Sequence, residues 1–405
     1  MNKLMFVFGT RPEFIKLYPV IMEARRRQYD VTVVNTGQHR EMLDQLLDEM
    51  GMSADFDLKV MTQQQSLADI LARTIVPLDK VVGQVRPDHI FVHGDTSATL
   101  AGSIISLYRH VPLSHVEAGL RTYNKYSPFP EEMNRQLTGV LADYHFTPTE
   151  ATQRNLLREG KDPERIFVVG NSAIDMLGYT IRPAFRHPVL DELGDRKLIL
   201  VTVHRRENLS ELNQIFTAIN EIGLRYGDSH QIVYPIHMNP VVRQAANQYL
   251  TAPSIRIIEP LGTTDFHNIL NRSHIVMTDS GGIQEEAPSL GKPVLVLRDT
   301  TERPEGVEAG TLRLVGTARD DIVRDACRLL DDDDEYRRMA AIANPYGNGT
   351  TAQQMMDVMD KIRAGEPLST AAVSGSPEHG EARDPSLLRG SEPSLPRQRK
   401  STSRT

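Results

Sequence analysis

The chain has 405 residues, a formal net charge of −7 and a single cysteine. That length calls for two or three domains, the acidic balance argues against a broad nucleic-acid surface, and one cysteine, Cys327, permits no internal disulfide. No apolar run approaches the ~20 residues of a membrane-spanning helix, and LMFVF starts too early and is too short for a signal peptide, so a cytoplasmic protein without membrane or nucleic-acid partners is expected.

Short runs rich in Val, Ile and Phe recur along the chain. KLMFVFG, VTVVNT, HIFVHGD, PLSHVEA, YHFTPT and RIFVVGN come first. After a break around residues 175–195 come LILVTVH, QIVYPIH, IRIIEP, HIVMTDS, PVLVLRD and LRLVG. The runs are continuous rather than alternating, which marks strands covered on both faces. Segments with helical spacing, such as FIKLYPVIMEARRR and ATLAGSIISLYR, separate them. This βα repetition predicts parallel, doubly wound sheets, and twelve strands exceed the ~10 of one comfortable open sheet, so two sheets of about six are expected. The predicted plan is an α/β protein with a Rossmann-like domain over 1–175, a second over 176–350, a final helix over 351–365, and a disordered Ser-, Pro-, Arg- and Gly-rich tail over 366–405.

Open α/β sheets bind ligands beyond the carboxyl ends of their strands, so the residues that follow each run are the ones to inspect. The first run ends in GTRPEFIK, which has neither a GxGxxG nor a GxxxxGK[ST] pattern and so lacks the standard dinucleotide and P-loop signatures. Arg11 and Lys16 place two cations near that helix start, either as anion ligands or as ordinary surface charge. HGDTSATLAG leaves Asp95 at a strand end, where an Asp also suits a helix N-cap. HVEAGLRT leaves Glu117 in a turn, and YSPFPEEMNRQ adds Glu131. Three carboxylates on one side of one sheet would shift one another's proton affinities.

The second half opens with VTVHRRENL, where His204, Arg205 and Arg206 follow a strand, and YPIHMNP adds His237. These read as an anion or proton-transfer site, or singly as structural residues. TDSGGIQEEAPSLG is a strand, a Ser280-Gly281-Gly282 turn and a helix. The glycines admit a ligand close to the backbone, and a helix N-terminus suits a diphosphate. Glu286, one turn into the helix, is placed for ribose hydroxyls, and RDTTERPEG brings Arg298 and Arg303. Together these features suggest a nucleoside diphosphate held by the C-terminal half, with chemistry on its attached group in the N-terminal half.

With these motifs assembled, the sequence closely resembles the non-hydrolysing UDP-N-acetylglucosamine 2-epimerases. FGTRPEFIK, GQHREMLDQ, VHGDTSATLA, HVEAGLRT, SPFPEEMNR, HRREN, TDSGGIQEEAPSLGKPVLVLRDTTERPEGVEAGT and NPYGNG carry the resemblance over about residues 3–363. It implies a glycosyltransferase-B architecture: two facing Rossmann-like domains, an active-site cleft between them, and a last helix that crosses back to the first domain. It also implies reversible conversion of UDP-GlcNAc to UDP-ManNAc through enzyme-bound UDP and 2-acetamidoglucal, with no metal and no cofactor, in a homodimer. Asp95, Glu117, Glu131 and His204 match the family's essential positions. Asp95 and Glu131 are assigned to the C2 protons, Glu117 to tuning or relay, and His204 to the leaving phosphate. Arg11, Arg303 and the Ser280–Gly282 helix start would hold the diphosphate, and Lys16 would also bind the substrate. Phe266 would pack near the uracil, Glu286 on the ribose, and Arg205 and His237 near the cleft.

Bacterial members of this kind often bind a second, activating UDP-GlcNAc beside the active site. Gln38, His39 and Gln65 would serve it here, sharing Glu131, Arg205 and His237. Two positions depart from the family pattern: Val203, where a smaller residue is common, and Thr263-Thr264, where Tyr-Leu is usual. The competing readings are an epimerase of UDP-2,3-diacetamido sugars, a UDP-GlcNAc-dependent glycosyltransferase, a hydrolysing epimerase, and a catalytically inactive sensor.

Overall fold

A computed structural model describes residues 1–38, 41–62 and 65–368. His39 and the tail from 369 onward lie outside the described residues. Among the described residues, the first sheet has seven parallel strands: β1 (Lys3–Phe8), β2 (Asp30–Asn35), β3 (Phe56–Asp57), β4 (His89–His93), β5 (Leu113–Val116), β6 (Tyr144–Thr147) and β7 (Ile166–Val168). Their order is β3-β2-β1-β4-β5-β6-β7. The second sheet has six: β8 (Lys197–Thr202), β9 (His230–Pro235), β10 (Ile255–Ile258), β11 (Ser273–Thr278), β12 (Val294–Val296) and β13 (Leu312–Leu314), ordered β10-β9-β8-β11-β12-β13. All twelve apolar runs are strands. The thirteenth, β3, corrects the even split into six and six. It is two residues long, Val34 pairing with Phe56 and Asn35 with Asp57, too short to leave a pattern.

Burial on both faces explains the continuous runs. Leu4, Phe6 and Phe8 face one cluster with the helix Arg11–Arg26, while Met5 and Val7 face another beneath the helices Leu67–Val85 and Ser97–Tyr108. Rings of adjacent strands continue the first cluster: Phe6 lies 4.7 Å from Phe91 and Phe146 5.6 Å from Phe167, centroid to centroid. The second sheet splits likewise, with Ile199 and Val201 on one side and Leu198 and Leu200 on the other.

The last helix, Thr351–Ala364, belongs to the first domain's core. Met355, Met356 and Met359 are fully buried in the cluster that holds Phe14, Leu17 and Ile21. Asp360 ties it down, accepting from Tyr29 Oη and Arg27 Nη1 at 2.7 Å each. The two linkers between the sheets cross where Gly170 meets Tyr346 and Gly347. Gly170 has φ +90°, and a Cβ there would lie 2.9 Å from the Tyr346 carbonyl oxygen, so only glycine fits. Among the described residues no helix is long and apolar enough to cross a membrane.

Candidate active site

In each sheet the strand order reverses between two central strands, β1 and β4 in the first and β8 and β11 in the second. Ligands of such sheets bind at these switch points. The chain leaving β1 carries Arg11, the chain leaving β4 carries Asp95, the chain leaving β8 carries His204 and Arg205, and the chain leaving β11 carries Ser280–Gly282.

On the first domain, Asp95 is not the helix cap. Thr96 is, its hydroxyl accepting from the Thr99 N–H at 3.2 Å. Asp95 is left to pair with Arg135, whose Nη2 and Nε donate to Oδ2 at 2.5 and 3.2 Å. Burial pushes the Asp95 carboxyl up, Arg135 opposes that, and the charges of Glu117 and Glu131 push it further. Glu131 opens the helix Glu131–Leu141, which also carries Arg135. Its neighbour Glu132 is structural: fully buried, it accepts from the N–H groups of Thr122 and Tyr123 at 3.0 Å each, fixing the loop between β5 and this helix.

Glu117 has φ +59°, in the left-handed region that non-glycine residues seldom adopt. Flanking ladder bonds hold it there, Gly94 N to Val116 O and Ala118 N to Phe146 O, both 2.9 Å. Its side chain is ion-paired with Lys16, and its second oxygen lies 3.6 Å from His93 Nε2. Burial alone would raise the Glu117 carboxyl, but the cations, Lys16 first and then Arg303, outweigh it and hold the group well below the usual carboxylate range. Burial keeps His93 neutral, pushed down to about 4. Lys16 is in turn held above its ordinary range, because Glu117 and Glu285 outweigh the burial of its ammonium.

On the second domain, the helix Gly281–Ser289 begins with no side-chain cap among the described residues, leaving its first N–H groups able to take a ligand. A Cβ on Gly281 would lie 3.4 Å from Arg205 Nη2 and 3.8 Å from Arg303 Nη2, so two guanidiniums flank that helix start. Glu286 lies 3.6 Å from His267 Nε2, and its charge reaches Arg11 of the other domain. Burial lowers Arg11 against that pull. His204 stacks on His237, centroids 5.6 Å apart. Burial lowers the His204 imidazole, Asp279 opposes, and His237 and Arg205 add to the lowering.

The remaining expected residues divide. Phe266 is half-buried at the edge of the second domain's core. Gln38 packs beside Gly9, and its Oε1 is buried with no hydrogen-bond partner among the described residues. Gln65 is engaged in its own loop, donating to Val60 O and accepting from the Thr62 N–H, both at 2.8 Å. Thr264 N donates to Glu49 Oε1 of the first domain at 3.0 Å, so the departure at Thr263-Thr264 falls on a contact between domains.

Several residues at the site drew no attention in the sequence. Asp279, fully buried, accepts from the N–H groups of His204 and Arg205 at 2.9 Å each and from Asn208 at 3.1 Å, and stands 3.3 Å from His204 Nδ1. It fixes the backbone that carries the imidazole. Glu285 is ion-paired with Arg303. Asn171 donates to both Glu117 and Glu285. A signal for Asp279 and Glu285 existed in the TDSGGIQEE string, which packs more polar groups than a turn needs.

This constellation defines a two-domain, glycosyltransferase-B-like protein: a cationic helix start on one domain faces paired carboxylates on the other. A family model described as UDP-N-acetylglucosamine 2-epimerase matches residues 22–360, and the chain belongs to that family. It is 52% identical to the UDP-N-acetylglucosamine 2-epimerase of Bacillus subtilis strain 168 over 88% of this chain and 94% of that protein. A crystal structure of a UDP-N-acetylglucosamine 2-epimerase matches with a TM-score of 0.84 and 47% identity, covering 94% of this chain and all of that one. The Neisseria meningitidis UDP-GlcNAc 2-epimerase, in a structure described as bound to UDP-GlcNAc, matches at TM-score 0.80 and 43% identity over 89% of this chain and all of that one.

Proposed function

We propose that the chain interconverts UDP-GlcNAc and UDP-ManNAc by elimination and re-addition of UDP. The observation that carries this reading is the opposition of Asp95–Arg135 and Glu117–Lys16 on one domain to the Gly281 helix start, Arg205 and Arg303 on the other. The C2 hydrogen of the sugar has no adjacent carbonyl and is weakly acidic. Its removal therefore depends on departure of the C1 substituent with its charge stabilised, the task of the helix start and guanidiniums. In the forward step a carboxylate takes the C2 proton, the C1–O electron pair leaves on UDP, and a C1=C2 double bond forms. In the return step the diphosphate oxygen adds to C1 and a second acid delivers a proton to the opposite face of C2. Atoms and electrons balance with no redox change.

Two acid/base groups are needed, and Asp95 and Glu131 are assigned to them, with Glu117 tuning them and His204, its backbone fixed by Asp279, beside the leaving phosphate. We further propose a homodimer. Exposed Leu107, Tyr108, Leu137 and Val140, on the neighbouring helices Ser97–Tyr108 and Glu131–Leu141, support it. The unpartnered Gln38 amide oxygen supports an activating UDP-GlcNAc beside the site.

The test is NMR of the purified protein with UDP-GlcNAc in deuterated water, without added metal or nicotinamide. Both epimers should acquire deuterium at C2 as UDP-ManNAc appears. Unchanged UDP-GlcNAc, alone and with a trace of UDP-ManNAc, would overturn the reading and redirect the search to diacetamido UDP-sugars.

A further inference from the structure

We propose that Asn171 is a positioning residue, whose side-chain amide holds Glu117 of the first domain and Glu285 of the second at a fixed spacing across the interdomain crossing. This rests on the epimerase reading above and deepens it. Asn171 is 3% exposed and follows Gly170, where the two linkers meet. Its backbone N–H donates to Tyr346 O of the returning linker at 2.7 Å. Its amide orientation is fixed, because Oδ1 accepts from the Ala173 N–H at 3.0 Å. Both side-chain N–H donors must therefore point the other way. One reaches Glu117 Oε1 at 3.0 Å and the other Glu285 Oε2 at 2.8 Å.

The result is a chain of alternating groups: Lys16, Glu117, Asn171, Glu285, Arg303. Each carboxylate has one cation, and they share one neutral donor. An amide is the group for this place. A cation would bind both carboxylates but compete with Lys16 and Arg303, and an acceptor would add repulsion to two like charges. Of the other titratable groups nearby, neutral His93 lies against the second oxygen of Glu117, and Asp175 is turned toward the Ala352 N–H at 2.8 Å. The same amide thus sets Glu117, the carboxylate that tunes the acid/base pair, against Glu285, the partner of Arg303.

The test uses Asn171→Asp, which keeps size and the Oδ1 contact to Ala173 but loses the donors. Ionised, the introduced carboxylate repels Glu117 and Glu285; protonated, it donates to one of them again. The ratio of variant to wild-type kcat is expected to be about tenfold or more below one at pH 8.5 and to recover several-fold toward pH 6, with circular dichroism and UDP affinity unchanged. A ratio near one, or a loss independent of pH, overturns the proposal. If Asn171→Asp fails to fold at high pH, Asn171→Ala decides. Reduced kcat with UDP affinity within about threefold supports the positioning role, and wild-type kcat overturns it. Wild type is assayed in the same deuterium-exchange experiment. Its failure to turn over would sink the epimerase reading, whereas an active wild type with equally active variants would sink only the role of Asn171.

Discussion

Glu13 offers a sharp test of the electrostatics. It is 2% exposed, in the first turn of the helix that leaves β1, and its partners include the Gly9 N–H at 3.0 Å, Thr10, and the hydroxyls of Thr96 and Thr99 at 2.8 and 3.3 Å. It thus joins the turn that carries Arg11 to the turn that carries Asp95, with no cation among these partners. Burial is the largest effect and pushes its carboxyl up to about 7 from the ordinary 4.5; the hydrogen bonds only soften this. The unfolded chain gives up this proton near 4.5 while the folded chain keeps it to about 7. In between, the folded state binds more protons, so stability falls as pH rises. At about 1.4 kcal/mol per pH unit the full loss is about 3 kcal/mol, complete above pH 7. Gln at this place has no proton to lose. Melting temperatures of wild type and Glu13→Gln, followed by circular dichroism from pH 4.5 to 8.5, should therefore diverge with rising pH. For a domain of this size the divergence is roughly 6–12 °C in favour of Gln. Neutral buried histidines such as His89 and His115, both pushed down to about 3 by burial, destabilise both proteins equally at low pH and cancel in the difference. Curves that stay parallel within about 2 °C would show that the folded carboxyl ionises freely, and the argument from burial would be wrong.

Two further outcomes follow from the site. Gly281→Ala has room in the backbone but puts a methyl 3.4 Å from Arg205 Nη2 at the helix start. KM for the UDP-sugar should rise about tenfold, with kcat within about threefold and the melting temperature unchanged in calorimetry; an unaltered KM would remove the helix start from the diphosphate site. Arg135→Met leaves Asp95 without its forked partner, so the carboxyl, already raised by burial, should rise further. The acidic limb of the pH profile should shift upward and kcat fall about 10- to 100-fold, and an unmoved limb would mean Asp95 does not titrate in turnover.

How much of this was legible follows from what a sequence displays. Strands buried on both faces print continuous apolar runs, so twelve of thirteen could be read, and β3 could not because two residues make no pattern. Polar residues directly after such runs stand out, which is how Asp95, Glu117, His204 and Ser280 were singled out. Asp279 and Glu285 were missed because their importance is burial against a specific partner, and burial of a carboxylate inside a helix or before a turn has no periodic signature. Asn171 was missed for the same reason: GNS after a strand reads as a loop. The glutamine run QQQSL shows the converse: Gln65 stands out in the sequence, while in the structure its amide is engaged by Val60 and Thr62 of its own loop.

The pattern of pairing bears on the proposed chemistry. Asp95, Glu117 and His204, which the sequence singled out at strand ends, each have a partner beside them: Asp95 with Arg135, Glu117 with Lys16, His204 with Asp279. Arg303 is likewise held by Glu285. Buried charges tolerate the interior only when so matched. In the proposed reaction a diphosphate at Ser280–Gly282 would bring negative charge beside Arg303 and draw on the same cations. Whatever share of Lys16 and Arg303 it takes is lost to Glu117 and Glu285. Since those cations are what hold Glu117 below the ordinary range, its affinity for a proton rises as the substrate seats. On the proposed chemistry the carboxylate network would therefore gain proton affinity when a C2 proton is at hand, and lose it again when the diphosphate leaves the site.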